Sequence, residues 1–253
     1  MPDYKIRRWT MTEIWRELEQ DDQGCPEGEA NRQYGRWLQE AFDSRKFAFV
    51  ADWVRLYALD KYGGLYLDSD VEVFKSFDDL LELPYFLGFE NGSSLETAVM
   101  GAQSGCRWVK ACLAYYRQRP FVLSDISEMQ KYIDRGEYIS EPGLSVRPSP
   151  CIVAEMLSLG YRVRPIPNKS EFVPADNTVC VFPRRYFSFS DAANGSEAKD
   201  RYCLHHGVGA WKPRRVQRNL KIWGVLASIF GHKGAGMIIT GAKRMLGKGR
   251  THE

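Results

Sequence analysis

The sequence has no Cys-x-x-Cys pair. Its six cysteines, Cys25, Cys106, Cys112, Cys151, Cys180 and Cys203, are scattered, so neither a zinc knuckle nor a disulfide framework is expected, and a reducing compartment fits best. It has no run of eighteen apolar residues, and its opening, MPDYKIRRWT, carries no apolar segment of the secretory kind. A membrane span and a recognisable export signal are therefore not expected, and a cytoplasmic location is. The longest apolar stretch, LKIWGVLASIF at 220–230, is interrupted by His232 and Lys233. Internal repeats and low-complexity linkers are also lacking. Net charge is scarce: 35 Lys plus Arg against 32 Asp plus Glu give +3, too little to argue for a nucleic-acid partner. Its distribution is uneven. From Lys212 onwards ten Lys or Arg face one acid, so this tail carries about +9 and leaves about −6 for everything before it.

What is present suits an ordinary globular protein. The 253 residues, 44% hydrophobic and 13% aromatic, suffice to build a core for one large domain or two small ones. Residues 4–9 read as a strand, 11–20 as a helix and 21–31 as a polar loop. Residues 32–62 read as one helix, with Phe47, Val50, Val54, Tyr57 and Lys61 on a single stripe, ended by Gly63 and Gly64. Strand is expected to about Val73, a short element at 77–83, a strand at 85–89 and a helix near 107–119. Further on, 151–160 reads as helix, and 160–167, 178–183 and 202–207 contain strands. Strands and helices alternate, which predicts an α/β sandwich around one mixed sheet.

The informative stretch is KYGGLYLDSDVEVF, residues 61–74. A buried strand here ends in two carboxylates. Alternate side chains of an extended segment share a face, so Asp68 and Asp70 point the same way and Ser69 points away. Such a pair repels itself unless a cation or solvent relieves it. Mg²⁺ or Mn²⁺, which keep coordination positions for water and phosphate oxygens, are the natural occupants, and they imply a phosphorylated substrate. On the preceding helix Asp52 and Arg55, three residues apart, are neighbours on one face.

Residues 47–81, FAFVADWVRLYALDKYGGLYLDSDVEVFKSFDDLL, combine an Ala-Asp-x-x-Arg helix, a Tyr-Gly-Gly turn and a Tyr-Leu-Asp-x-Asp strand. This stretch resembles the signature of glycosyltransferase family 32, the sugar transferases related to yeast α-1,6-mannosyltransferase and to the catalytic domains of clostridial glucosylating toxins. FLGFEN at 86–91, FPRRYFSF at 182–189 and YCLHHGVGAW at 202–211 extend the resemblance.

The resemblance implies a GT-A, Rossmann-like fold over residues 1–211, followed by a basic amphipathic tail at 212–253. It also implies a retaining transfer of a hexose from a nucleotide-diphosphate sugar. Residue by residue, Asp68 and Asp70 become ribose and metal contacts and His205 a metal or diphosphate ligand, with His206 the second choice. Asp52, Arg55, Gly64 and Trp211 become donor contacts. Glu90 is the one nameable candidate for a second catalytic acid. Relatives usually open on a strand that precedes the stretch matching PDYKIRRW, so that first strand is expected to be absent. The expected partners are the donor sugar, a glycan or lipid-linked acceptor in surface polysaccharide (capsule) synthesis, and an anionic membrane met by the tail at its inner face. Two other readings stay open: a metal-dependent phosphohydrolase or nucleotidyltransferase using the same aspartates, and an inactive glycan- or partner-binding remnant.

Overall fold

In the computed structural model, which describes residues 4–22, 29–90, 92, 94–123, 127, 130, 131, 143, 144, 147–188 and 200–207, the chain opens without regular structure. Residues 4–10 are not the expected strand. Instead of pairing its backbone, this segment packs through rings. Trp9 meets Tyr57 edge-on with centroids 6.1 Å apart, and the Arg7 guanidinium lies over the rings of Trp9 and Tyr62 at 4.4 and 4.0 Å.

Helix α1 (Met11–Asp22) then starts at a reciprocal cap. Thr10 Oγ1 accepts from the Glu13 N–H at 3.3 Å, while Glu13 accepts from the Thr10 N–H at 2.7 Å. Where the sequence suggests one helix over 32–62, there are two, α2 (Glu29–Asp43) and α3 (Phe47–Tyr62). The break is a Schellman motif: the Lys46 N–H donates to the Ala41 carbonyl at 2.9 Å and the Arg45 N–H to that of Phe42 at 2.8 Å. Arg45 sits in the left-handed region at φ 55°, a place where glycine is usual, so no glycine marks the stop.

Helix α3 is apolar almost all round, with Phe49, Trp53, Leu56 and Leu59 all buried. Trp53 is completely buried and stacks on Tyr57 with centroids 4.5 Å apart. Burying each such side chain contributes about 1.5–3 kcal/mol, which outweighs the weak helix propensity of the aromatics. Gly63 ends the helix at φ 67°, its N–H bonded to the Leu59 carbonyl. A Cβ there would lie 2.7 Å from the Ser104 nitrogen and 2.9 Å from the Ala102 oxygen, so the turn demands glycine.

The sheet is built on a strand the sequence pattern did not reveal. Strand β4 (Leu95–Ala102), buried along its whole length, lies between β1 (Gly64–Leu67) and β3 (Tyr85–Phe89) and is antiparallel to both. The short helix α4 (Asp78–Leu81) precedes β3, and α5 (Arg107–Leu113) follows β4, running into a 3₁₀ turn at Ala114–Tyr116. After α6 (Ser149–Gly160), β5 (Arg162–Pro165) and β6 (Thr178–Val181) pair in parallel. Phe182 then carries β6 onto the free edge of β3, donating to the Leu87 carbonyl at 2.8 Å and accepting from the Phe89 N–H at 3.0 Å. The antiparallel sheet β1-β4-β3 and the parallel pair β5-β6 are thus joined by the Gly88–Phe182 bridge, and helices with small sheets fit an α/β fold. A separate antiparallel pair joins β2 (Val71–Val73) to β7 (Cys203–His205).

Alternate residues of β3 enter two different cores. Leu87 joins the layer built with α1, α2, α3, α5 and α6, whereas Phe86 joins Phe77, Val99, Phe182, Phe187 and Tyr202 on the other face. These residues belong to the compact unit Met1–Gly207; the unit from Val208 to Glu253, with Trp211 and the basic tail, lies outside the described residues. No helix among the described residues is long and apolar enough to cross a membrane.

Candidate metal and donor site

Strand β1 does not run through both aspartates. It ends at Leu67; the Asp68 N–H continues the ladder to the Ala98 carbonyl at 2.8 Å, and the chain then turns, the Val71 N–H donating to the Asp68 carbonyl at 3.1 Å. Asp68 and Asp70 therefore converge because a tight turn brings them together, not because they alternate along a strand. The returning strand β2 pairs with β7 so that Val71 stands opposite His205. The His206 N–H donates to the Asp70 carbonyl at 3.0 Å, which fixes the turn against β7.

This register brings together residues 135 positions apart. One ligand atom each of Asp68, Asp70 and His205 lies within 4.8 Å of the other two. The side chains are 27%, 25% and 15% exposed, so solvent and a substrate can reach them. Asp68 stands at the carboxyl end of β1, and Glu90 follows the carboxyl end of β3 at the same end of the sheet, the end where open α/β sheets bind ligands. Glu90 belongs to the β3–β4 connection, where its carboxylate accepts from the Ser94 hydroxyl at 3.2 Å. It is not one of the three clustered residues.

Asp52 and Arg55 are not surface groups. Their ion pair measures 2.6 Å, and they are 8% and 5% exposed. From α3, Arg55 also donates to the Thr97 carbonyl at 2.5 Å, reaches Asp68 at 3.3 Å, and lies 4.7 Å from the centre of the Tyr66 ring. Tyr66 in turn donates its hydroxyl to Asp68 at 2.6 Å. The first aspartate is thus held by one buried donor, Arg55, and one half-buried donor, Tyr66. Burial pushes the Asp52 carboxyl up to about 7 against the pull of Arg55, with Asp68 adding to the rise. The Arg55 guanidinium is held in its charged form despite burial by Asp52, Tyr66 and Asp68.

His205 has a second carboxylate behind it. Its Nδ1 lies 3.1 Å from Glu96, and its Nε2 faces Asp70 at 3.6 Å. Burial pulls the imidazole pKa down, but Glu96, Asp70 and Asp68 together raise it above the usual histidine value. Sequence reasoning missed Glu96, which sits in β4. The available signal was a lone acid inside the apolar run LETAVMGA. The neighbouring His206 points elsewhere, to exposed Glu72 at 3.1 Å.

Two carboxylate oxygens and an oriented imidazole nitrogen, partly open to solvent, fit a divalent cation that keeps positions for water and phosphate oxygens. Gly64 is not part of this cluster. It begins β1, three residues before Leu67, and lines a cleft of about 250 Å³ with Gly63, Phe86, Gly101, Gln103 and Ser104. Trp211 lies outside the described residues.

Residues 1–87 match the family model described as a glycosyltransferase sugar-binding region containing a DXD motif. Over 73 residues the chain is 40% identical to glucan organizing enzyme 1 of Cryptococcus neoformans, a stretch covering 29% of this chain and 18% of that protein. Over 105 residues it is 33% identical to inositol phosphoceramide mannosyltransferase 3 of Schizosaccharomyces pombe, covering 41% of this chain and 26% of that protein. The chain thus spans no more than 26% of the length of either relative. No solved structure matches it. The matched region contains Asp68 and Asp70 but stops short of Glu96 and His205. What these comparisons show is that residues 1–87 are similar to a glycosyltransferase sugar-binding region containing a DXD motif, and that parts of the chain are similar to sugar-transfer proteins.

Proposed function

We propose that the chain is a metal-dependent hexosyltransferase of GT-A type, similar to glycosyltransferase family 32, which moves a sugar from a nucleoside-diphosphate donor to a glycan or lipid-linked acceptor with retention of configuration. The observation that carries this reading is the convergence of Asp68, Asp70 and His205 within 4.8 Å at the carboxyl end of β1, inside and beside a region similar to DXD-containing sugar-binding domains.

In this reading Asp70 and His205 hold a Mn²⁺ or Mg²⁺ ion, and Asp68 shares the ion or the donor's ribose. When bound, that ion offsets the charge that develops on the departing diphosphate. The chain's own residues do the rest. Arg55 and Tyr66 keep Asp68 in one rotamer, so its oxygens need no reorganisation when the donor binds. Asp52 neutralises Arg55 and fixes its fork. Glu90, at the same sheet end, is the proposed candidate for a second acid. Because it is tied into the β3–β4 connection, we favour attack by the acceptor from the face the diphosphate leaves, with the phosphate taking the proton. Gly64 and Trp211 complete the proposed donor contacts, and the basic stretch 212–253 would hold the enzyme at an anionic cytoplasmic surface during surface polysaccharide assembly.

The test is a panel of nucleoside-diphosphate sugars with Mn²⁺, followed by product analysis. Sugar transferred to an added acceptor supports the proposal. Metal-dependent release of phosphate without glycoside would instead identify a phosphohydrolase.

A further inference from the structure

Glu96 is 1% exposed, on the central strand of the sheet. A buried carboxylate is costly unless its oxygens are occupied, and both of these are. Oε1 accepts from the Ala98 backbone N–H at 2.9 Å, a donor that cannot turn away, and Oε2 lies 3.1 Å from His205 Nδ1. With Oε1 committed to a fixed donor, the ionised carboxylate presents only an acceptor to the imidazole.

We propose that Glu96 is a positioning residue that holds the proton of the neutral His205 ring on Nδ1, so that the Nε2 lone pair faces Asp70 and Asp68. The inference rests on the divalent-cation reading of this site. In the other tautomer the Nε2 hydrogen would occupy the direction in which Nε2 meets Asp70, 3.6 Å away, and the ring could not serve as a ligand there.

The adjacent histidine supplies the contrast. His206 also meets a glutamate at 3.1 Å, yet that pair is 48% and 55% exposed. Glu72 is open to solvent, so it neither fixes a tautomer nor bears a burial cost for doing so. Residue type and distance are the same; what differs is burial, the anchoring N–H and the ring nitrogen engaged, Nδ1 in His205 and Nε2 in His206.

Glutamine at position 96 is nearly isosteric but has one oxygen. If that oxygen keeps the Ala98 N–H, the amide NH₂ faces Nδ1 as a donor and drives the ring proton to Nε2. The conservative variant therefore inverts the signal instead of merely deleting it.

The experiment combines two measurements on the full chain. Nitrogen-15 NMR of labelled histidine side chains, at a pH high enough for the ring to be neutral, reads the His205 tautomer without metal. Mn²⁺ titration reads affinity for wild type, Glu96→Gln, Glu72→Gln and Asp70→Asn. The inference expects Nδ1–H in wild type, a shift of the proton towards Nε2 in Glu96→Gln with Mn²⁺ affinity about 10–100-fold weaker, and wild-type behaviour for Glu72→Gln. Wild-type His205 carrying its proton on Nε2, or an unchanged tautomer in a folded Glu96→Gln, would overturn it. The wild-type spectrum decides even if the variant fails to fold. Failure of the metal reading looks different: the tautomer is as stated, but wild type binds no more Mn²⁺ than Asp70→Asn.

Discussion

Arg55 is the residue on which the buried side of the site depends. It is the shared partner of Asp52, Asp68 and the Thr97 carbonyl, so removing it strips two carboxyl groups and a buried carbonyl of their common donor. Arg55→Met should lower unfolding free energy by about 3–5 kcal/mol, measured by urea denaturation; a loss below about 1 kcal/mol would mean that the pair is not buried in solution. Tyr66→Phe removes only the hydroxyl that donates to Asp68. It should cost about 1 kcal/mol of stability and weaken donor binding several-fold, and unchanged binding would show that Arg55 alone positions Asp68. At this scale the sequence was informative where chemistry is local. The Asp-x-Asp pair and the i,i+3 placement of Asp52 and Arg55 could both be read. Glu96 offered only the signal of a lone acid in an apolar run, because its role depends on the pairing of β2 with β7, and no local pattern encodes a partner 109 residues away.

At the scale of elements, α1 is tied to α3 by two carboxylates, Glu17 and Asp21, and Glu17 is the more buried. Glu17, 7% exposed, accepts from Arg7 at 2.6 Å, from Lys61 at 2.7 Å and from the Tyr62 hydroxyl. Burial alone would raise its pKa, but bonds from Lys61 and Tyr62 with the nearby charges bring it below the ordinary glutamate value. A carboxylate depressed in the folded state stabilises above its unfolded pKa and loses that contribution as pH falls through the folded value. Glu17→Gln should therefore melt below wild type at pH 7, with the gap closing below about pH 4.5; a gap independent of pH would assign the effect to packing. The α2–α3 break carries its own test. Arg45 adopts a left-handed conformation that disfavours side chains, so Arg45→Gly should raise stability by about 0.5–1 kcal/mol, and a loss would mean that the arginine side chain makes a compensating contact. The same feature explains why the pattern over 32–62 looked continuous: apolar periodicity runs through the break, and the capping residue is not glycine. The N-terminal segment was misread for a related reason. Its ring contacts come from Arg7 and Trp9 against Tyr57 and Tyr62, and they take the place of a sheet edge.

Over the whole molecule, alternation of helices and strands was enough to anticipate an α/β fold, though not its division into small sheets, and the glycine turn before β1 stands where the sequence places it. The central strand β4 escaped notice. LETAVMGA is short, flanked by Ser94 and Gln103, and buried on both faces, so it shows no polar alternation to distinguish it from any other apolar run. The charge asymmetry belongs to this scale too. With the tail about +9 and the remainder about −6, the chain should pellet with anionic but not neutral liposomes, and lose this on removal of residues 212–253; equal pelleting with and without the tail would contradict a membrane role.

The central claim is that Asp68, Asp70 and His205 form a cation site serving a nucleoside-diphosphate sugar. Its most direct test is calorimetric titration of the chain with a panel of such donors, with and without Mn²⁺, beside Asp70→Asn. The account predicts binding of at least one donor that requires Mn²⁺ and falls at least tenfold in the variant. Binding that is indifferent to both the metal and Asp70, or absent for every donor, would contradict it.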